Sequence, residues 1–266
     1  TLFSDELVDH RTWVIAGDGC LMEGLNHEAI GLAGHLGLGR MIVLWDDNNI
    51  TIDGGTELST SENVMARYEA AGWHVNRCDG HDFEDIDRAL AEAVAENRPS
   101  LVACKTLIGK GAPNKQGTSS THGSPLGADE VSRAREFLNW QHPPFEIPAD
   151  ILSDWNSVSG SGRASRRAWQ DRLDHDKCRK ERFLAQTSEI GPGGANALED
   201  HIRDLASNPV NVATRKASEL ALEPLTAALP QMIGGSADLT GSNNTKTTST
   251  LPMSSKDYSG RYVYYG

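Results

Sequence analysis

A carboxylate, Asp18, and a carboxamide, Asn48, each fall just past the end of an apolar run, residues 12–16 and 41–45. Both are hard oxygen donors, suited to Mg2+ or Ca2+ and poorly suited to zinc. A Mg2+ ion keeps several positions for water and phosphate oxygens, so few protein ligands are needed. Gly17 and Gly19 flank Asp18 without side chains, which lets the backbone approach a phosphate, and a helix expected from about Glu23 would aim its positive end at the same place. The combination reads as a site for a Mg2+-bound diphosphate. Each piece alone is ordinary, since Gly-Asp-Gly and Asp46-Asp47-Asn48-Asn49 are common turn and loop sequences. No GxxxxGK[ST] run is present, and Met22 stands where a GxGxxG fingerprint needs its third glycine, so a P-loop or dinucleotide fold loses support.

For these residues to converge, the chain must place both apolar runs side by side as parallel strands. Residues 12–16 read as a strand, Gly17-Asp18-Gly19 as a turn, 23–38 as a helix ended by Gly39, and 41–45 as a strand of the continuously apolar kind buried in parallel sheets. After the polar loop 46–55 the pattern repeats, with a helix at 61–71, a strand at 73–77, a helix at 82–96 and a strand at 101–107. This alternation predicts an α/β fold, a parallel sheet flanked by helices, whose ligands bind outside the carboxyl ends of the strands. The Gly-rich stretch 108–128 is a long loop and a second candidate site. A helix at 129–140 precedes prolines at 143, 144 and 148, which mark a boundary. Residues 163–189 read as a solvated helix face, and 159–162 and 191–194 as flexible breaks. A helix at 212–229, a strand at 232–233, a polar loop at 234–259 and a strand at 262–265 look like the start of a second α/β domain. The division expected is 1–150, then a helical connector over 151–210, then 211–266.

Composition narrows the function classes. Hydrophobic residues form 38% of 266, with 26 glycines in addition, which argues against gross disorder. A net charge of -12 argues against nucleic acid or an anionic membrane as the main partner. The apolar run 41–45 is far short of the roughly 20 residues that span a bilayer, and residues 1–10 lack the basic-then-apolar order of an export signal. Cys20, Cys78, Cys104 and Cys178 are scattered without a CxxC pair, so no disulfide framework or zinc ribbon is expected and a reducing cytoplasm is the expected compartment. Cys20 reads as a small packing residue.

The run Gly17-Asp18-Gly19-Cys20-Leu21-Met22-Glu23-Gly24, followed by Asp46-Asp47-Asn48-Asn49-Ile50-Thr51-Ile52-Asp53-Gly54, resembles the thiamine-diphosphate motif in the form found in transketolases. Cys104–Gly109, Thr121–Gly127, Thr214–Ser218 and Gly234–Leu239 resemble further transketolase segments in the expected order, and the likeness is weakest over 150–210. The resemblance implies thiamine diphosphate as cofactor, with Mg2+ held by the side chains of Asp18 and Asn48 and the backbone carbonyl of Ile50, Ca2+ or Mn2+ being able to substitute. It sets Gly17, Gly19 and Asn48 against the diphosphate and gives His122 contact with both the diphosphate and the sugar. It casts Glu23, with His122, in the catalytic set, Glu23 as the acid at the dimer interface. Arg215 and Ser242 would grip the phosphate of the sugar, as a guanidinium fork and a hydroxyl suit such a group. Asp238 matches an acidic position near the cofactor without an assigned role.

The function implied is transfer of a two-carbon ketol unit from a ketose phosphate to an aldose phosphate, in the pentose phosphate pathway or the Calvin cycle, by a homodimer. The resemblance places the catalytic glutamate beyond Gly266 and the early histidines before Thr1. The expectation is therefore an internal fragment, a diphosphate-binding domain and the truncated start of a pyrimidine-binding domain, inactive alone. The alternatives are a non-catalytic diphosphate-binding or partner-binding module, and another thiamine-dependent enzyme such as a dihydroxyacetone synthase.

Overall fold

The computed structural model describes residues 7–187 and 192–266. The chain divides into two units, His10–Asn156 on one side and Thr1–Asp9 with Ser157–Gly266 on the other. The first unit holds β1 (Thr12–Gly17), α1 (Asp18–Met22), α2 (Gly24–Leu36), β2 (Met41–Asp47), α3 (Val64–Ala70), β3 (His74–Asp79), α4 (Phe83–Ala95), β4 (Ser100–Lys105) and α5 (Ala128–Phe137). The strands pair in the order β1-β2-β4-β3, all parallel.

Helices cover both faces of this sheet, which is why its central strands are apolar without alternation. On one face Ala16, Val43 and Leu101 pack with Leu21, Ile30, Ala33, Tyr68 and Trp73. On the other, Ile42, Cys78 and Val102 pack with Ala89 and Ala93 of α4. The polar tips of the two buried aromatics are satisfied, Trp73 Nε1 donating to Ile30 O at 3.0 Å and the Tyr68 hydroxyl to Asn26 Oδ1 at 3.0 Å. Caps fix the helix ends: Asp82 accepts from the N–H groups of Glu84 and Asp85 at the start of α4, and Asn63 from that of Ala66 at the start of α3. Gly37, at φ 61°, ends α2 two residues before the expected Gly39.

One close approach is set by glycine. A Cβ built on Gly34 would lie 1.8 Å from the Ala71 carbonyl oxygen. Gly34→Ala must therefore push two backbone segments apart, and the expected cost is about 1–3 kcal/mol. Thermal unfolding of the variant should show a clearly lowered midpoint; a curve superimposable on the parent's would refute the contact.

The second unit contains most of α6 (Ala149–His175), then α7 (Lys177–Thr187), α8 (Pro192–Ser207), α9 (Thr214–Ala228), β5 (Gly234–Ser236), α10 (Thr240–Asn243) and β6 (Tyr262–Tyr264). β5 and β6 form a two-stranded parallel sheet. Arg261 ties this unit together: its guanidinium donates to the carbonyls of Thr226, Leu229, Met232 and Ser249. Trp169 Nε1 donates to Leu7 O at 2.8 Å, and its ring meets Phe183 edge-on.

Several expectations need correction. Residues 159–162 are not a break but lie inside α6; each glycine costs roughly 1 kcal/mol of helix propensity, a deficit that the 27-residue helix as a whole absorbs. Of the expected break at 191–194, Gly191 lies outside the described residues and the rest begins α8. The strand expected at 232–233 starts instead at Gly234, because the Met232 N–H is taken by Leu229 O in the turn that closes α9. The loop 234–259 contains β5 and α10. The stretch 163–187 is helical apart from Asp176 between α6 and α7, and mainly solvated, as expected; residues 188 and 189 lie outside the described residues. Cys20 is exposed, so it is no packing residue. Among the described residues no helix is long and apolar enough to cross a membrane.

Candidate functional site

Gly17 pairs in register with Asp46, so the chain leaves β1 and β2 at adjacent points on the same sheet edge. Beyond β1 the expected turn is absent: Asp18 is already the first residue of α1, and the chain passes from strand to helix directly. The helix expected over 23–38 is split, because Glu23 is extended (φ -65°, ψ 140°) and caps α2, which starts at Gly24. Glu23 is exposed at this junction.

The Asp18 side chain is buried, 6% exposed. Trp45 Nε1 donates to its Oδ1 at 3.1 Å, and the backbone N–H of Asn48 donates to its Oδ2 at 3.2 Å. Burial pushes the carboxyl pKa up, while these two hydrogen bonds pull it back. Among the described residues no Lys or Arg pairs with it. The Asn48 amide is fixed at both ends, Oδ1 accepting from the Ile50 N–H at 2.9 Å and Nδ2 donating to Asp46 Oδ2 at 3.2 Å. Asn49, at φ 60°, takes the left-handed conformation that asparagine tolerates and bends the loop at this point.

The long loop after β4 contains one helical turn, Ser119–Thr121, and His122 follows it with its N–H bonded to Ser119 O. The loop is held from α5 by Glu130, buried, whose carboxylate accepts from the backbone N–H and the side-chain amide of Asn114 at 2.7 and 2.8 Å. Lys115 Nζ donates to Leu126 O at 2.9 Å. As a result His122 comes to the same cleft as the β1 and β2 ends: Gly17, Asp18, Gly19, Glu23, Asn48, Ile50 and His122 all line one cavity of about 630 Å³. Arg215, in the first turn of α9, and Ser242, in α10, belong to the other unit, where both are exposed and no hydrogen bond joins them among the described residues. Asp238 is exposed, in the left-handed conformation at φ 57°.

The donors fit a hard cation. The buried Asp18 carboxylate lines one cavity with Asn48 and Ile50, whereas no cluster of three His, Cys, Asp or Glu side chains suited to a metal occurs among the described residues. A Cβ added at Gly17 or Gly19 would meet nothing within 4 Å, so neither glycine is required by the protein's own packing. A larger cleft, about 940 Å³, lies along the ends of β3 and β4. Lys105 there is paired with Asp47 and Arg88 with Asp85 and Glu92, Arg77 donates to Met65 Sδ, and the acids Asp47, Glu62, Asp79 and Asp85 line the same cleft, which leaves it less suited to an anion.

Residue types alone did not reveal Trp45, Asp46 and Thr106 as parts of the site. Trp45 looked like the end of an apolar run, yet its indole N–H holds Asp18. The Thr106 hydroxyl donates to Asp46 Oδ1, a contact made by the β2–β4 pairing.

Residues 3–190 match the family described as transketolase, thiamine diphosphate binding domain. Transketolase of Cereibacter sphaeroides is 51% identical over 99% of this chain, which spans 40% of that relative. A transketolase structure from Leishmania mexicana superposes with TM-score 0.87 at 37% identity, covering 98% of this chain and 39% of that one. A transketolase structure from Pichia stipitis in complex with sedoheptulose 7-phosphate gives 0.79 at 37% identity, covering 96% and 39%. The relatives and the solved structures match nearly the whole length and the family match covers residues 3–190, and the chain belongs to the transketolase family.

Proposed function

We propose that this chain forms the diphosphate-binding part of a transketolase, together with the start of its pyrimidine-binding domain from about residue 211. The observation that carries the reading is the buried Asp18 carboxylate. It has N–H donors on both oxygens and no cationic partner among the described residues, and it lies in one cleft with Asn48, Ile50 and His122. A buried charge without a partner is costly, and a divalent cation supplies the partner. Asp18, Asn48 and the Ile50 carbonyl would hold Mg2+, with Ca2+ or Mn2+ able to replace it. Gly17 and Gly19, whose missing side chains leave open space, would let the diphosphate lie against the backbone.

Thiamine diphosphate, when bound, supplies the carbon centre that carries the two-carbon unit. The protein groups here anchor and orient. His122 reaches the diphosphate and the incoming sugar, Arg215 and Ser242 grip the sugar phosphate, and Glu23 faces a second copy of the protein in a soluble, cytoplasmic homodimer. The Pichia stipitis complex supports a phosphorylated ketose as donor. The chain spans about 40% of the relatives it matches, so activity belongs to the whole protein.

The test is calorimetric titration of the full protein with thiamine diphosphate, with Mg2+ or with EDTA, followed by a transfer assay from sedoheptulose 7-phosphate to an aldose phosphate. Binding should require the divalent ion and transfer should be observed. Equal binding in EDTA would remove the metal from the reading, and absence of two-carbon transfer would remove the activity.

A further inference from the structure

An amide ligand works only when its oxygen, not its nitrogen, faces the ion, so something must decide which way Asn48 points. The structure supplies that choice at both ends of the amide, at Oδ1, which accepts from the Ile50 N–H at 2.9 Å, and at Nδ2. Asn48 Nδ2 donates to Asp46 Oδ2 at 3.2 Å, and turning the amide over would set its oxygen against a carboxylate oxygen. Asp46 is itself oriented, because its Oδ1 accepts from the Thr106 hydroxyl. Thr106 is clamped in turn: its N–H donates to Asp47 O at 3.1 Å, and its methyl lies where a Cβ on Gly80 would be, 2.5 Å from that position. A β-branched side chain held on one side this way has little freedom at χ1, and its hydroxyl is left facing Asp46.

Thr106 also stands at the root of the loop that ends in His122. Its neighbour Leu107 donates its N–H to His81 Nε2 at 2.9 Å, which straps the same root to the end of β3. The end of β2 and the root of the His122 loop after β4 are thereby joined by this hydroxyl, alongside the Thr106 N–H to Asp47 O and the Lys105–Asp47 ion pair.

We propose that Thr106 is a positioning residue: through Asp46 it aims the Asn48 amide oxygen at the ion and ties the ion loop to the loop bearing His122. This rests on the reading of Asp18, Asn48 and Ile50 as the divalent-ion site. Loss of a partner one layer outside a metal ligand, here Asp46, typically weakens metal binding roughly 10–100-fold, and Thr106 stands one layer further out, so its effect falls at the low end of that range. Thr106→Val keeps the shape over Gly80 and removes only the hydroxyl, and Thr106→Ser keeps the hydroxyl.

The experiment measures Mn2+ binding to the full protein in the presence of thiamine diphosphate, by the paramagnetic resonance signal of free Mn2+, for the parent and both variants. Thr106→Val should bind about 10-fold more weakly, and Thr106→Ser should stay close to the parent, a rescue that a mere packing role would not require. If circular dichroism shows that Thr106→Val does not fold, Thr106→Ala takes its place with the same expectation. Parent-like Mn2+ binding by the hydroxyl-free variant, with the parent itself binding, overturns the role of Thr106 and leaves the ion site standing. No Mn2+ binding by the parent overturns the ion site and this inference with it.

Discussion

Asp18→Ala in the full protein is expected to abolish cofactor-dependent turnover at ordinary Mg2+ and thiamine diphosphate concentrations. Its effect on ion affinity should exceed about 100-fold, since partners outside the ligand shell already cost roughly 10–100-fold. The reason lies in the electrostatics of the side chain. Burial raises its pKa, and the hydrogen bonds from Trp45 and Asn48 only partly oppose that rise. A carboxyl raised in the folded state binds protons more readily folded than unfolded, so in the ion-free protein its ionisation lowers stability as pH rises through the folded pKa. A bound cation reverses this by favouring the carboxylate. The substitution should therefore change the ion-free midpoint little, because removing an uncompensated charge offsets two lost hydrogen bonds of about 1 kcal/mol each. Calorimetric melts should separate parent from variant only when Mg2+ and thiamine diphosphate are added, as the parent alone gains stability from binding. Near-normal turnover with unchanged cofactor affinity would remove Asp18 from the metal site.

The site was legible in the sequence where residue type carries the message, and illegible where pairing does. Asp18, Asn48 and the two glycines announce an oxygen-rich, side-chain-poor corner at two strand ends, and the structure brings them to one cleft with His122. The run 41–45 announces a buried strand because consecutive residues, Ile42 and Val43, are buried on opposite faces. The order β1-β2-β4-β3 is another matter. It sets β2 beside β4 rather than β3, and only that non-local choice carries Thr106 to Asp46. The indole of Trp45 finds Asp18 for a similar reason: Ala16 pairs with Trp45, which puts the strand end of β2 alongside the exit from β1. The residues 159–162 mislead in the opposite sense, since local glycine propensity suggests a break that the rest of α6 overrides. Arg215 and Ser242 carry no local signal at all, an exposed Arg and an exposed Ser on helices being the commonest of surface features, and their assignment rests on the family likeness.

For that reason Arg215 makes the sharper test of how far the likeness extends. Arg215→Ala in the full protein is expected to raise KM for phosphorylated sugars by roughly 10–100-fold, the loss of a charge-assisted hydrogen bond worth about 1.5–3 kcal/mol. Thiamine diphosphate and Mg2+ binding should be unchanged, because Asp18, Asn48, Ile50 and the two glycines proposed to hold the ion and the diphosphate lie in the other unit. Stability should also change little: Arg215 is exposed in the first turn of α9, and among the described residues no carboxylate pairs with it. A positive side chain at a helix start is even slightly unfavourable toward the dipole, so its presence there is better explained by an anion than by the helix. Arg215→Lys retains the charge without the planar fork and should recover only part of the affinity. Steady-state kinetics with a phosphorylated ketose and with its unphosphorylated counterpart give the decisive comparison. The variant should lose the parent's preference for the phosphorylated donor and keep its turnover of the other. An unchanged preference, or a loss of cofactor binding, would show that Arg215 does not read the phosphate.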